Sequence, residues 1–365
     1  MSINQIIMYV MALGVLLGGI DRILGNRFGY GEKFENGFHL LGPVALSMAG
    51  IICLAPLLSA GLGSIIGPFC RILHLDPGMF GSLLAIDMGG YQMAMDLAEH
   101  PDIGRFSGII VSSMFGCTIV FTIPVGLATI KPDDRPYFTH GILLGFIAMP
   151  FAVLAGGLVL GLGILEIFWN CVPIFLISGL LSVGVIRKPD AMMKGFQSFS
   201  RIIESIAILG LTLAAVSHLT GISILQKMPS LLEAMETVSS ICIVMLGSMP
   251  LAELLQRMMK RPFIQIQKKT GLNGAATTAL LLGMVSTTPA LAMIPEMDNR
   301  GKVVCSSCLV CYVGVFGAHL AFTMGLEPEM VPALLTAKAV GAILGGSIAL
   351  LATRNPVQVA GASIK

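Results

Sequence analysis

Apolar runs of about 20 residues recur along almost the whole of this 365-residue chain, and each is long enough to cross about 30 Å of hydrocarbon as a helix. That feature removes most fold classes at once. Inside lipid a backbone must satisfy its own hydrogen bonds, so runs of this kind become helices. Charged residues make up 12% of the chain and hydrophobic ones 55%, half the charge of a soluble domain at about 25%. The fold class expected is therefore an all-α polytopic membrane protein. No stretch is large or polar enough for a separate soluble domain. The N-terminus does not read as a cleavable signal, because Asp21 and Arg22 follow the first apolar run and no basic residue precedes it.

Full spans are expected at roughly 3–20, 38–62, 106–130, 138–160, 167–186, 202–225, 233–256, 303–325 and 331–352, about nine in all. Two further apolar segments, about 77–98 and 271–297, are interrupted midway, the first at Asp87-Met88-Gly89-Gly90 and the second at Ser286-Thr287-Thr288-Pro289. Basic residues concentrate in cytoplasmic loops, and this decides how the interrupted segments run. The densest basic loops hold Arg187, Lys188, Lys194 and Arg201, then Arg257, Lys260, Arg261, Lys268 and Lys269. If both interrupted segments are re-entrant hairpins, Arg22, Arg27, Lys33, Lys131, Arg135, Arg300, Lys302, Arg354 and Lys365 fall on the cytoplasmic side as well. Arg105, Glu327 and Glu329 then face out. Full spans would reverse seven of these basic assignments, so the re-entrant reading is preferred.

That topology implies an internal inverted repeat. Repeat 1 covers about 1–160, a linking helix about 167–186, and repeat 2 about 190–353, within one membrane domain over 1–365. Sequence traces agree in order. Pro56-Leu57 and Pro68-Phe69 have the spacing of Pro250-Leu251 and Pro262-Phe263. Gly78 and Gly81 match Gly271 and Gly274, Ala94-Met95 matches Ala292-Met293, and Gly104-Arg105 matches Gly301-Lys302.

Asp87 is the sharpest functional candidate. A carboxylate at bilayer depth costs about 2.5–3.5 kcal/mol on insertion scales and by default marks a polar pathway. Gly89 and Gly90 break the helix beside it. In a repeat of this kind the site is expected where broken segments meet, with Ser286, Thr287 and Thr288 offering neutral oxygens opposite Asp87. Lys338 either snorkels to the interface or pairs with Asp87 while the site is empty. His319 lies inside a span and either bonds a neighbouring helix or relays a proton.

Other polar residues read more plainly. Glu253 and His218 approach the ends of their spans. Asp96, Glu99, His100 and Asp102 read as an exposed loop, and Asn273 as a further neutral oxygen near the second break. Tyr91 and Phe80 flank the first tip, where packing outweighs a cation–π role. Gly157-x-x-x-Gly161 and Gly341-x-x-x-Gly345 read as close helix approaches, and Trp169 as an interface anchor. Cys305, Cys308 and Cys311 have metal-like spacing but lie in an apolar helix without an obvious fourth ligand, so small packing residues are expected and no metal. No cofactor is expected. The chain lacks G-x-x-x-x-G-K-[ST], H-E-x-x-H and G-x-S-x-G, which disfavours ATP-driven pumping and the simplest enzyme classes.

At these residues the chain resembles the bacterial ethanolamine-utilisation transporter family, the EutH-type permeases. The matching stretches are Asn4-Gln5-Ile6-Ile7-Met8-Tyr9 with Asp21-Arg22-Ile23, then Asp76-Pro77-Gly78-Met79-Phe80 leading into Asp87-Met88-Gly89-Gly90. Further on come Met297-Asp298-Asn299-Arg300-Gly301-Lys302-Val303 and His319-Leu320-x-Phe322. The resemblance implies uptake of ethanolamine across the inner (cytoplasmic) membrane of a bacterium by a multi-pass permease, feeding a cobalamin-dependent lyase in a microcompartment. The chemistry is compatible, since a small hydroxylated ammonium suits one carboxylate and a few neutral oxygens. The expected partners are that substrate and membrane lipid, and not nucleic acid; a homo-oligomer stays open. The rivals are a carrier of another small amine or polar metabolite, a membrane scaffold or sensor for the catabolic machinery, and a membrane-embedded enzyme.

Overall fold

The computed structural model describes residues 3–83, 90–225 and 228–354. All regular structure among them is helical. Helix α1 (Ile3–Ile23) is followed by α2 (Tyr30–His39), α3 (Leu41–Leu73), a 3₁₀ turn at Pro77–Leu83 and α4 (Gly90–Leu97). Helix α5 (Pro101–Arg105) then runs through π-helical stretches at Phe106–Gly116 and Thr118–Thr122 into α6 (Ile123–Thr129). After a 3₁₀ turn at Pro132–Asp134 come α7 (Arg135–Leu160), α8 (Ile164–Arg187), α9 (Pro189–Thr220), α10 (Leu231–Thr270), α11 (Gly274–Gly283), α12 (Thr287–Ala292), α13 (Asn299–Tyr312) and α14 (Ala318–Leu326). A last 3₁₀ turn at Pro328–Met330 leads to α15 (Val331–Ala352).

The chain is an all-α polytopic membrane protein, with eight helical stretches long and apolar enough to cross a membrane among the described residues. Bare apolar side chains face outward, as lipid requires; Ile23, Leu165 and Leu219 are each more than 80% exposed. The expected ninth span, 303–325, is not one helix. Helix α13 stops at Tyr312 and α14 starts at Ala318, with Gly314 at φ 65° between them. Gly314 and Gly317 remove the steric bar to such an unwound stretch, and the unbroken apolarity around them hides it. The segment at 101–129, which holds the corresponding place in the other expected repeat, is irregular too. These are also buried elements: 89% of its apolar window is covered, against 22% for α1 and α9, and α13 is buried from Gly301 to Tyr312.

Both interrupted segments fold back on themselves. The Asp76 carboxylate accepts from the backbone of Gly78 at 2.8 Å, and from Glu99 and His100 across the segment at 3.2 and 2.9 Å. One buried side chain thereby clasps the two ends of 77–98. Between them Gly81 lies directly against Ala94, where a Cβ has no room. The second segment is clasped by Asn273, whose amide donates to Glu296 O at 2.9 Å while its backbone N–H reaches Asp298 at 3.4 Å. A segment whose ends touch cannot cross about 30 Å of hydrocarbon.

Contacts sort the chain into two compact units, one of 1–120, 198–254 and 316–332, the other of 121–197, 255–315 and 333–365. In the first, Asp21 shapes the α1–α2 turn by accepting from Phe28, Tyr30 and Gly31 at 2.8–2.9 Å. There α3 and α9 cross backbone to backbone at Gly50 and Gly210, and Gly14 and Gly247 do the same for α1 and α10. In the second unit, Gly141 and Gly145 bring α7 onto Val303, Ser306, Ser307 and Val310 of α13. Gly341 seats α15 on Cys311, and Gly345 meets Ser307. Cys305, Cys308 and Cys311 fill this crowded face as small packing residues. The paired reading of Gly157 and Gly161 needs correction: Gly161 ends α7 in a left-handed conformation at φ 95°, and a Cβ there would meet nothing within 4 Å. Trp169 is half-exposed in the second turn of α8.

Clasped hairpin ends make a topological prediction. Arg71→Cys and His100→Cys, both at exposed positions, react with an impermeant thiol reagent from one face of the membrane. Exposed Lys269→Cys and Glu296→Cys react from the other. Labelling of the two ends of either hairpin from different faces would refute the re-entrant fold.

Candidate functional site

Helix α13 ends in the interior of its unit, and the last carbonyls of any helix have no partner within it. Lys338 of α15 meets that need. Its Nζ donates to Val313 O at 3.0 Å and to Cys311 O at 3.5 Å, and the residue is 0% exposed. The carbonyl end of a helix carries about half a negative charge, so it suits an ammonium that is costly to bury otherwise. Gly341, one turn on, lets α15 approach α13 closely enough for the lysine stem to reach. The snorkelling reading of Lys338 is thus corrected: packing of α15 on α13 closes the route to the interface.

The second re-entrant tip is joined to the same break. Asn273 caps α11 by accepting from Ala276 N at 2.9 Å. Helix α11 ends at Gly283, whose carbonyl accepts from Gly314 N at 3.0 Å, while Tyr312 Oη donates to Leu280 O at 2.7 Å. A Cβ at Gly283 would lie 2.5 Å from Tyr312 Oη, so only glycine permits this junction. Three irregular features therefore converge in one unit: the tip of the second hairpin, the unwound stretch after α13, and a buried ammonium. Of the hydroxyls expected there, Ser286 is exposed at the start of α12 and makes no cap bond, Thr287 is buried, and Thr288 is exposed. Helix α12 also packs against α6. Just ahead of α6, the wholly buried Thr122 hydroxyl has no hydrogen-bond partner among the described residues.

Asp87 and Gly89 lie outside the described residues. Gly90 is the buried first residue of α4. His319 is buried in the first turn of α14, and its carbonyl accepts from Thr323 Oγ1 at 2.9 Å. Tyr91 packs edge-on against Phe322 at 5.9 Å, and its hydroxyl donates to Glu327 at 2.6 Å. Glu253 pairs with Lys33 at 4.0 Å. No cluster of three or more metal-ligating side chains occurs among the described residues.

Of the ion pairs that escaped the sequence reading, two lie beside the hairpins. Arg105 reaches Glu327 at 3.3 Å and Glu329 at 3.4 Å, and Lys302 reaches Asp134 at 2.6 Å. Their partners lie 222 and 168 residues away, beyond any local pattern. Only the matched Gly104-Arg105 and Gly301-Lys302 dipeptides hinted at them.

The family model described as "Ethanolamine utilisation protein, EutH" matches residues 3–352. The chain is 39% identical over 351 residues to the "Probable ethanolamine permease EutH" of Listeria monocytogenes, covering 96% of this chain and 94% of that one. It is 33% identical over 391 residues to the protein of the same name from Escherichia coli, covering 96% of each. The "Uncharacterized protein YxeR" of Bacillus subtilis is 37% identical over 361 residues, covering 99% of this chain and 97% of that one. No solved structure matches the chain.

Lys338→Met keeps the stem and removes the donor, leaving buried carbonyls at the end of α13 to bear a cost of about 1–3 kcal/mol. The expected outcome is a lower thermal unfolding midpoint in detergent. An unchanged midpoint would show that the ammonium does not cap the helix.

Proposed function

The chain belongs to the ethanolamine utilisation protein EutH family, and from that premise we propose that it is a permease that brings ethanolamine into a bacterium across the inner membrane. It does so as a secondary transporter or facilitator, without ATP hydrolysis and without being an enzyme. The observation that carries the reading is the interrupted helix α13–α14 bonded to a re-entrant tip through Gly314 and Gly283. Irregular backbone at membrane depth is tolerated where it lines a cavity or is covered by protein, and in secondary transporters such segments form the substrate site. The names of the relatives supply the substrate. A scaffold or sensor has no need of two re-entrant hairpins and a broken helix buried in its core.

Protonated ethanolamine needs a carboxylate for its ammonium and neutral oxygens for its hydroxyl. Asp87 is the group assigned to the first task, and Ser286, Thr287 and Thr288 to the second. Lys338 takes a supporting role. Its ammonium already occupies the carbonyl end of α13, so it holds the break open and repels a cation from that end.

Purified protein in vesicles is expected to take up radiolabelled ethanolamine saturably with no nucleotide present. Unlabelled ethanolamine competes better than choline or a nucleoside. Asp87→Asn lowers the uptake rate about tenfold or more, the loss of one charge-assisted contact. Undiminished uptake by that variant would remove Asp87 from the site. Failure of the native protein to transport would sink the permease reading and favour a scaffold.

A further inference from the structure

Two ion pairs, one in each compact unit, share a construction. In the first, Arg105 meets Glu327 and Glu329, and the Tyr91 hydroxyl bonds Glu327. In the second, Lys302 meets Asp134, and its ammonium lies 5.8 Å from the centre of the Tyr137 ring. Each basic residue follows a glycine pressed onto a hairpin. A Cβ on Gly104 would sit 2.9 Å from Met95 Sδ and 3.0 Å from Ala98 Cβ, and one on Gly301 would sit 2.6 Å from Ala276 Cβ. The acids lie in or beside matching 3₁₀ turns, Pro328–Met330 and Pro132–Asp134. Each turn starts with proline, leads to a second proline at Pro332 or Pro136, and then to a glycine at Gly341 or Gly145 with the same spacing.

The pairing is crossed. Arg105 belongs to the first expected repeat and its acids to the turn that opens the closing helix α15 of the second. Lys302 belongs to the second repeat and Asp134 to the turn that opens the closing helix α7 of the first. A two-fold relation between inverted halves generates such an exchange, because any contact from the first half to the second must recur from the second to the first. The basic-residue count places Arg105, Glu327 and Glu329 outside. It puts Lys302 on the cytoplasmic side, which the loop holding Asp134 shares.

We infer that these pairs are equivalent gates, one at each face of the membrane, and that transport requires each to part in turn. The inference rests on the permease reading. Each pair fastens the hairpin-bearing part of one repeat to the turn that opens the closing helix of the other, so hairpin and turn cannot separate while the pair is made. The two differ in hydration. Lys302 and Asp134 side chains are 9% and 12% exposed, whereas Arg105, Glu327 and Glu329 are 31%, 16% and 58% exposed.

A pair that merely holds the fold tolerates being fixed, and a gate does not. Arg105→Cys with Glu327→Cys, joined by a short reducible cross-linker in vesicles, is expected to lower ethanolamine uptake about tenfold or more, with recovery on reduction. A third cysteine, Tyr137→Cys beside the other pair, is then expected to react about threefold faster with an impermeant maleimide from the cytoplasmic face. Arg105→Gln, which loosens the first pair and needs no cross-link, moves that labelling rate the opposite way. Full uptake with the pair locked, or labelling indifferent to both changes, would overturn the inference. If the native protein carries no ethanolamine, the permease reading falls alone, and the labelling rates still decide the gates.

Discussion

A helix that stops inside a membrane protein leaves carbonyl groups that lipid cannot satisfy, and the second unit is arranged around one such end. Lys338 supplies a charged donor to Cys311 and Val313. Gly314 and Tyr312 turn the adjoining polar groups onto the carbonyls of Gly283 and Leu280. A buried group left without its partner costs about 1–3 kcal/mol, so each substitution here is felt by the others. The same demand explains a lysine in an apolar span, a glycine one turn beyond it, and a hairpin that ends where α13 does.

Much of this architecture was legible before any coordinates. Span length and charge asymmetry marked the continuous helices and both re-entrant segments, because hydrocarbon thickness and loop charge act on sequence directly. The break at 313–317 was not legible, since Val313, Val315 and Phe316 keep the stretch apolar and only Gly314 and Gly317 betray it. The sequence leaves Lys338 a choice between surface and site, because its fate depends on how α15 packs, which no local pattern records. Asp87, the sharpest sequence candidate, falls outside the described residues, and the roles of Ser286, Thr287 and Thr288 rest on chemistry.

The stretches that carry the family resemblance turn out to be rich in joints. Asp21 ties the α1–α2 turn, Asp76 closes the first hairpin, and Asp298 helps close the second. Each is a short carboxylate accepting backbone N–H groups that a non-helical corner leaves without a partner in its own chain direction. Substrate ligands are therefore not required to explain most of the shared motifs. What those joints hold in place is the irregular backbone on which the permease reading depends.

The unequal hydration of the two crossed ion pairs has a consequence for how the surroundings act on the molecule. Dissolved salt screens charges that water reaches and leaves dry ones nearly untouched. Dissolved ions therefore loosen Arg105 from Glu329 far more than they loosen Lys302 from Asp134. Ionic strength thus acts unevenly on this chain: a saline medium slackens the joint in the first unit and leaves the one in the second nearly intact, with no change in its sequence.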